Sequence, residues 1–170
     1  IEIQKRYGIQ CDNYASLHLW SIENIEKFWS LVWDFTDVLC EERGDIIVAE
    51  KERMPGARFF PDAKLNFARN LLRRRDDSDA LIYRGENGDE ARVTWRSLYE
   101  GVSSLAAALR ARGVVAGDRV GAIVTNIPET VTAMLACTSI GAIWSSCSPD
   151  FGLEGILDRL EQISPKILFA

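Results

Sequence analysis

The sequence predicts an α/β fold in which a helical N-terminal extension is followed by a β-hairpin and then by βαβαβ units of a parallel sheet. Three observations predict it. Aromatic and aliphatic residues recur at helical spacing in SIENIEKFWSLVWDF, residues 21–35. The pair Asn87-Gly88 sits between two short β-rich runs, a strong hairpin signal. Beyond it, apolar runs of strand length alternate with amphipathic stretches, the pattern of parallel strands joined by right-handed crossovers.

Each element follows in order. In the first region Ile22, Ile25, Phe28, Trp29, Val32, Trp33 and Phe35 make a broad apolar stripe, read as a helix packed on a core, with Ser21 and Asn24 expected to open it. His18 is the only histidine, with no second one for a metal site or a triad, so its expected role is structural. The run RNLLRRR, Arg69 to Arg75, is followed at once by DDSD and reads as a solvated helix end. The texture of the chain changes there, which predicts a boundary between residues 1–75 and residues 76–170.

After that boundary, Ala80 to Tyr83 and Ala91 to Trp95 are expected as hairpin strands around GENGD. Thr94 is placed to cap a helix carrying Leu98, Val102, Leu105 and Leu109 on one face, ended by Gly113. Gly117-Asp118 turns the chain into RVGAIV, Arg119 to Val124, a strand of the kind buried on both faces of a sheet. Asn126 is expected as a cap and Pro128 as the first residue of a helix reaching about Ile140, before a second buried strand, Ile143 to Cys147. Pro149 ends that strand by biasing Ser148 away from helical geometry, and Asp150 or Gly152 begins the next helix. Leu153, Ile156, Leu157, Leu160 and Ile163 are its expected buried stripe, Ser164-Pro165 stops it, and Lys166 to Ala170 starts another strand. A strand that ends with the chain, like an opening at Ile1 without methionine, predicts a piece of a longer protein.

Composition narrows the function. The 170 residues are 47% hydrophobic and 26% charged, enough for a real core. A net charge of -5 and pI near 5.0 argue against a nucleic-acid binder. Cys11, Cys40, Cys137 and Cys147 have no CxxC spacing and read as reduced thiols of a cytoplasmic protein. No apolar run approaches the length of a membrane span and no secretory signal opens the chain.

In an open parallel sheet, the loops leaving the carboxyl ends of the strands line the ligand crevice. Ser148-Pro149-Asp150 lies at such an end. Asn126, Pro128 and Glu129 stand at another strand-to-helix junction, where capping explains all three. Asp118 and Arg119 read as turn and strand start, Thr94 and Trp95 as cap and packed aromatic.

The segments VTWRSLYEGV, GDRVGAIVTNIPETVTAMLACTSIGAIW and SPDFGLEGILDRLEQISPKILFA resemble consecutive early motifs of the adenylate-forming (AMP-binding) enzymes, the superfamily of acyl-CoA synthetases. GDRV, IPE, MLAC and GAIW are similar to its acetyl-CoA synthetase branch, and SSCSPDFGLEGILDRL with FWSLVWDF and FFPDAKLNFARNLL most resembles the acetoacetyl-CoA synthetase family. The likeness runs from about Tyr14 to Ala170.

The resemblance implies that residues 1–75 are the acetyl-CoA-synthetase-type extension and residues 76–170 the first, incomplete part of the adenylate-forming large domain. It implies a two-step acid:CoA ligase using ATP, CoA and Mg2+, with the rest of the large domain and a C-terminal domain as partners and no nucleic acid or membrane. The family's glycine-rich phosphate loop with its lysine does not occur in these residues, so no catalytic or metal-ligating residue is assigned, no cofactor is expected to bind them tightly and no catalysis is expected of them alone. Ser148, Pro149 and Asp150 are the residues carried over as CoA-proximal, although glycine and aromatic residues occupy this loop in the acetyl-CoA synthetase branch, where they allow close backbone approach. Acetyl- or propionyl-CoA synthetase, and a non-catalytic binding module, stay open as alternatives.

Overall fold

A computed structural model describes residues 2–170. The chain forms two compact units, one running to Leu65 and the other spanning Asn66–Ala170.

The first unit begins with α1 (Glu2–Tyr7), α2 (Tyr14–Glu23) and α3 (Ile25–Phe35). Asn13 opens α2 with a reciprocal capping box: its side-chain oxygen accepts from the Ser16 N–H at 2.9 Å, and Ser16 Oγ accepts from the Asn13 N–H at 3.3 Å. The single helix expected to open at Ser21 with Asn24 is therefore two helices. Ser21 lies inside α2 and donates to the His18 carbonyl at 2.7 Å, while the break falls at Asn24, whose N–H and side-chain amide both donate to the Trp20 carbonyl. The expected stripe is only partly buried. Ile3, Trp20 and Leu31 are the core, with Phe28 packed against them, whereas Ile22 and Phe35 are 60% and 71% exposed. The periodic stripe is wider than the surface that three short helices offer it.

Four strands too short to leave a period-two pattern were not foreseen. β1 (Cys40–Glu42) pairs antiparallel with β4 (Lys64–Leu65), and β2 (Val48–Ala49) with β3 (Arg58–Phe59). Beside them Arg43 lies 5.5 Å from the Trp33 ring centre and 5.6 Å from that of Phe60, donating to Ser30 Oγ at 2.8 Å and to Asp34 at 3.1 Å.

In the second unit Asn66 caps α4 (Phe67–Leu71) through the Arg69 N–H, and its amide donates to the Thr138 carbonyl at 2.9 Å. β5 (Asp79–Arg84) and β6 (Glu90–Thr94) form the expected antiparallel hairpin, with Gly88 at φ +89° in its turn. Thr94 Oγ1 accepts from the Ser97 N–H at 3.1 Å and starts α5 (Trp95–Ala111), which buries Leu98, Val102, Ala106 and Leu109. The helix ends where Gly113 turns to φ +77°.

The rest is β7 (Arg119–Ile123), α6 (Pro128–Ser139), β8 (Ile143–Cys147), a 3-10 turn (Pro149–Phe151), α7 (Gly152–Ile163) and β9 (Ile167–Phe169). The three strands form a parallel sheet in the order β8-β7-β9, Val120 lying opposite Trp144 and Ile167. This is the α/β architecture the sequence predicts. Val120 of the central strand is buried in one cluster with Leu98, Leu109, Leu135 and Ala136, and Ala122 of the same strand is buried as well. Burial in the same cluster pushes the Cys137 thiol up to about 11.

Two burial expectations fail. Ile143, on the outer strand β8, is half exposed, and of α7's five expected core residues only Leu160 is buried, with Leu153 73% exposed. A narrow sheet of three strands offers α7 little surface to sit on.

Asp118 is a structural clasp. Its carboxylate accepts from the Val115 N–H at 2.9 Å and from Lys166 Nζ at 2.7 Å, while Lys166 also donates to the Gly113 carbonyl at 2.6 Å. The Lys166 ammonium first, then the Val115 N–H, hold this carboxyl below the usual aspartate range. Among the described residues no helix is long and apolar enough to cross a membrane.

Candidate ligand cleft at the strand ends

Adjacent parallel strands deliver their carboxyl ends to one edge of the sheet. β7 and β8 do so in register, and the Val124 N–H donates to the Cys147 carbonyl at 3.1 Å as the pair finishes. The chain leaving β7 is folded on itself by Thr130, whose Oγ1 donates to the Thr125 carbonyl at 2.8 Å. The chain leaving β8 is shaped by Ser148, which is extended as the following proline requires. Its Oγ accepts from the Asp150 N–H at 3.3 Å and donates to the Asp150 carboxylate at 2.7 Å.

These two junctions and the tip of the β5–β6 hairpin enclose an open cleft of about 880 Å³. Asn126 and Thr130 stand on one wall, Ser146, Ser148 and Asp150 on another, and Tyr83 to Asn87 on the third. The charged groups are few: Glu86 and Asp150 are acidic, and Arg84 is paired with Glu90. Among the described residues no lysine or histidine lines the cleft, and the buried Cys147 thiol points at the Ala122 carbonyl, 3.7 Å away. Such a set can hold and orient a polar ligand through hydroxyl, amide and backbone groups, and among the described residues lining it there is no nucleophile–base pair.

Of the three loop residues singled out in the sequence, Ser148 and Asp150 line the cleft. Pro149 faces an adjoining apolar hollow with Ile127, Ala133 and Phe169. Asn126 also lines the cleft, but it does not cap α6 as expected: Ile127 is the capping residue, without a side-chain capping bond. The hairpin tip is what sequence reasoning missed, because GENGD announces a turn and nothing in it announces which strand ends it will face.

Residues 67–170 match the family model described as AMP-binding enzyme. The chain belongs to the AMP-binding enzyme family. Residues 14–71 of this AMP-binding chain match the model described as acetyl-coenzyme A synthetase N-terminus. It is similar to the acetoacetyl-coenzyme A synthetase of Rhizobium meliloti (strain 1021), 50% identical over 163 residues that make 96% of this chain and 25% of the relative. The acetoacetyl-CoA synthetase of Gallus gallus is 40% identical over 166 residues, 96% of this chain and 25% of its own. The solved structure of acetoacetyl-CoA synthetase from Streptomyces lividans superposes with a TM-score of 0.90 at 41% identity, over 98% of this chain and 26% of that one. The chain thus spans about a quarter of the length of the relatives it matches.

Proposed function

We propose that this AMP-binding chain is the N-terminal part of an ATP-dependent acetoacetate:CoA ligase. The observation that carries the reading is the likeness to the Streptomyces lividans acetoacetyl-CoA synthetase over 98% of the chain, at 41% identity. In the proposed reaction a carboxylate oxygen of acetoacetate bonds to the α-phosphorus of ATP and pyrophosphate leaves. The sulfur of CoA then bonds to the acyl carbon, its proton passing to solvent, as the acyl carbon–oxygen bond breaks and AMP leaves with that bond's electron pair. Magnesium supplies counter-charge to the phosphates and arrives with the nucleotide. Among the described residues no three His, Cys, Asp or Glu side chains gather as a metal site, and no step of the chemistry is assigned to them.

In this proposal residues 1–75 are the acetyl-CoA-synthetase-type extension and residues 76–170 the first part of the large domain. Its support is that two different family models meet at residues 67–71. Ser148, Pro149 and Asp150 lie beside CoA, supported by their position at the carboxyl end of β8. Four free cysteines support a reducing cytoplasmic setting.

The test is acid-dependent pyrophosphate release by the full-length gene product with ATP, magnesium and CoA. Acetoacetate is expected to outpace acetate, propionate and butyrate. Preference for acetate or propionate would move the protein to the acetyl- or propionyl-CoA branch, and release with none of the acids would overturn ligase function.

A further inference from the structure

Gly121 sits in the middle of β7 with an ordinary strand conformation, so its lack of a side chain answers a need for space. A methyl group there would lie 3.1 Å from Leu160 Cδ2 and 3.2 Å from Cβ and Cγ of Pro165. Carbon atoms settle at ~3.5–4.0 Å, so at least one neighbour would have to retreat. Pro165 is rigid and is followed at once by the Lys166 N–H bond to the Arg119 carbonyl, so its two contacts stay close and the relief has to come at Leu160. Leu160 is also the buried residue of α7, the point where the helix rests on the sheet.

The carboxyl end of α7 is held elsewhere. The Arg119 guanidinium donates to the Ile163 carbonyl and, at 3.5 Å, to that of Ser164, while the Lys166 N–H donates to the Arg119 carbonyl at 2.8 Å. With that end pinned, lifting Leu160 tilts the helix about Ile163. Leu160 is ~4.5 Å from the pivot along the axis and Gly152 ~16 Å, at ~1.5 Å rise per residue. A retreat of ~0.5 Å at Leu160, enough to restore contact distance, therefore becomes ~2 Å at Gly152. The residues directly before Gly152 are the 3-10 turn and Ser148.

We infer that Gly121 is a positioning residue for the Ser148–Pro149–Asp150 loop: by letting Leu160 seat directly on β7, it sets the tilt of α7 and thereby the place of the loop that meets CoA. This rests on the ligase proposed above and extends it from the loop to the sheet beneath. Gly121 touches no substrate and acts through α7.

The experiment uses the full-length protein and separates the two half-reactions. Acid-dependent ATP–pyrophosphate exchange reads adenylation, and the KM for CoA in thioester formation reads the loop. In Gly121→Ala, exchange is expected to stay within about twofold of the native rate while the KM for CoA rises about tenfold, the scale of a misplaced contact. Adding Leu160→Ala to Gly121→Ala removes the contact that lifts α7, while those with Pro165 remain, and is expected to bring the KM for CoA back to within about threefold of native. An unchanged KM in folded Gly121→Ala, a proportional fall of both half-reactions, or a double variant no better than the single one overturns the inference. Should Gly121→Ala fail to fold, the double variant decides: folding with a KM for CoA within about threefold of native supports the contact with Leu160 as the cause, and a double variant that also fails to fold, or folds with a raised KM, overturns the inference. A native protein without acid-dependent exchange overturns the ligase reading and this inference together, whereas an active native protein whose folded Gly121→Ala variant keeps its CoA KM overturns only the inference.

Discussion

The unit ending at Leu65 and the unit beginning at Asn66 hold themselves together differently. The first buries Ile3, Trp20 and Leu31 and has strands of two or three residues, so its order depends on individual polar and aromatic contacts such as the Asn13 capping box and Arg43 between Trp33 and Phe60. The second buries a continuous cluster that runs from Ala68 through α5, β7 and α6 to Ala142. Apolar area tolerates the loss of one polar contact, and a small core with specific contacts does not. The cost is visible too: both described buried side-chain nitrogens without a partner, Trp20 Nε1 and Arg43 Nε, belong to the first unit.

Four substitutions sharpen or break that contrast. The largest effect is expected from Leu135→Ala, at a fully buried position of the second core, which should cost about 3 kcal/mol by the transfer and cavity terms together. Urea denaturation checks it, and a loss under about 1 kcal/mol would mean the cluster collapses to fill the hole. Thr94→Ala removes the oxygen that accepts the Ser97 N–H and should cost about 1 kcal/mol, with amide exchange of the first turn of α5 rising first. Trp20→Phe should leave stability within about 1 kcal/mol of native, since the smaller ring loses packing against Tyr7 and Phe28 but removes an unpartnered buried N–H. A large loss there would show that area, and not the polar defect, governs the first unit as well.

The smallest effect is a pH dependence. Asp118 has its carboxyl held below the usual range by Lys166 and by the Val115 N–H, so its contribution is complete above the unfolded aspartate value of about 4 and is lost as pH falls through the lower folded value. The gap in urea midpoint between native protein and Asp118→Asn should therefore be flat from about pH 8 to 5 and narrow below about pH 4. A gap that stays constant in acid would assign the clasp to neutral hydrogen bonding.

Local chemistry made much of the second unit legible. Asn87-Gly88 set the hairpin, Thr94 the start of α5, Gly113 its end and Pro128 the start of α6, because each acts on backbone dihedrals or N–H groups within a few residues. The same kind of reasoning opened the helix of the first unit at Ser21 with Asn24, and of the two only Asn24 stands at a helix boundary. Ser21 satisfies its hydroxyl inside a helix by donating to His18, and only the end of α2 at Asn24 separates it from α3. Of the candidate site, the loop after β8 was readable from Ser148-Pro149-Asp150, while its neighbours Arg84, Glu86 and Asn87 were not.

From β5 onward, sequence by itself determined the order of strands and helices, the turns that join them and the parallel course of the last three strands, since all of these follow from periodicity and from turn residues acting locally. Tertiary structure alone decided how much of each apolar stripe is covered, that the hairpin tip faces the ends of β7 and β8, and that Gly121 must be bare for Leu160 to rest on it. The reason is physical: coverage and closeness depend on the size and position of a partner far along the chain, and a periodic pattern records which side of an element is apolar without recording what lies against it.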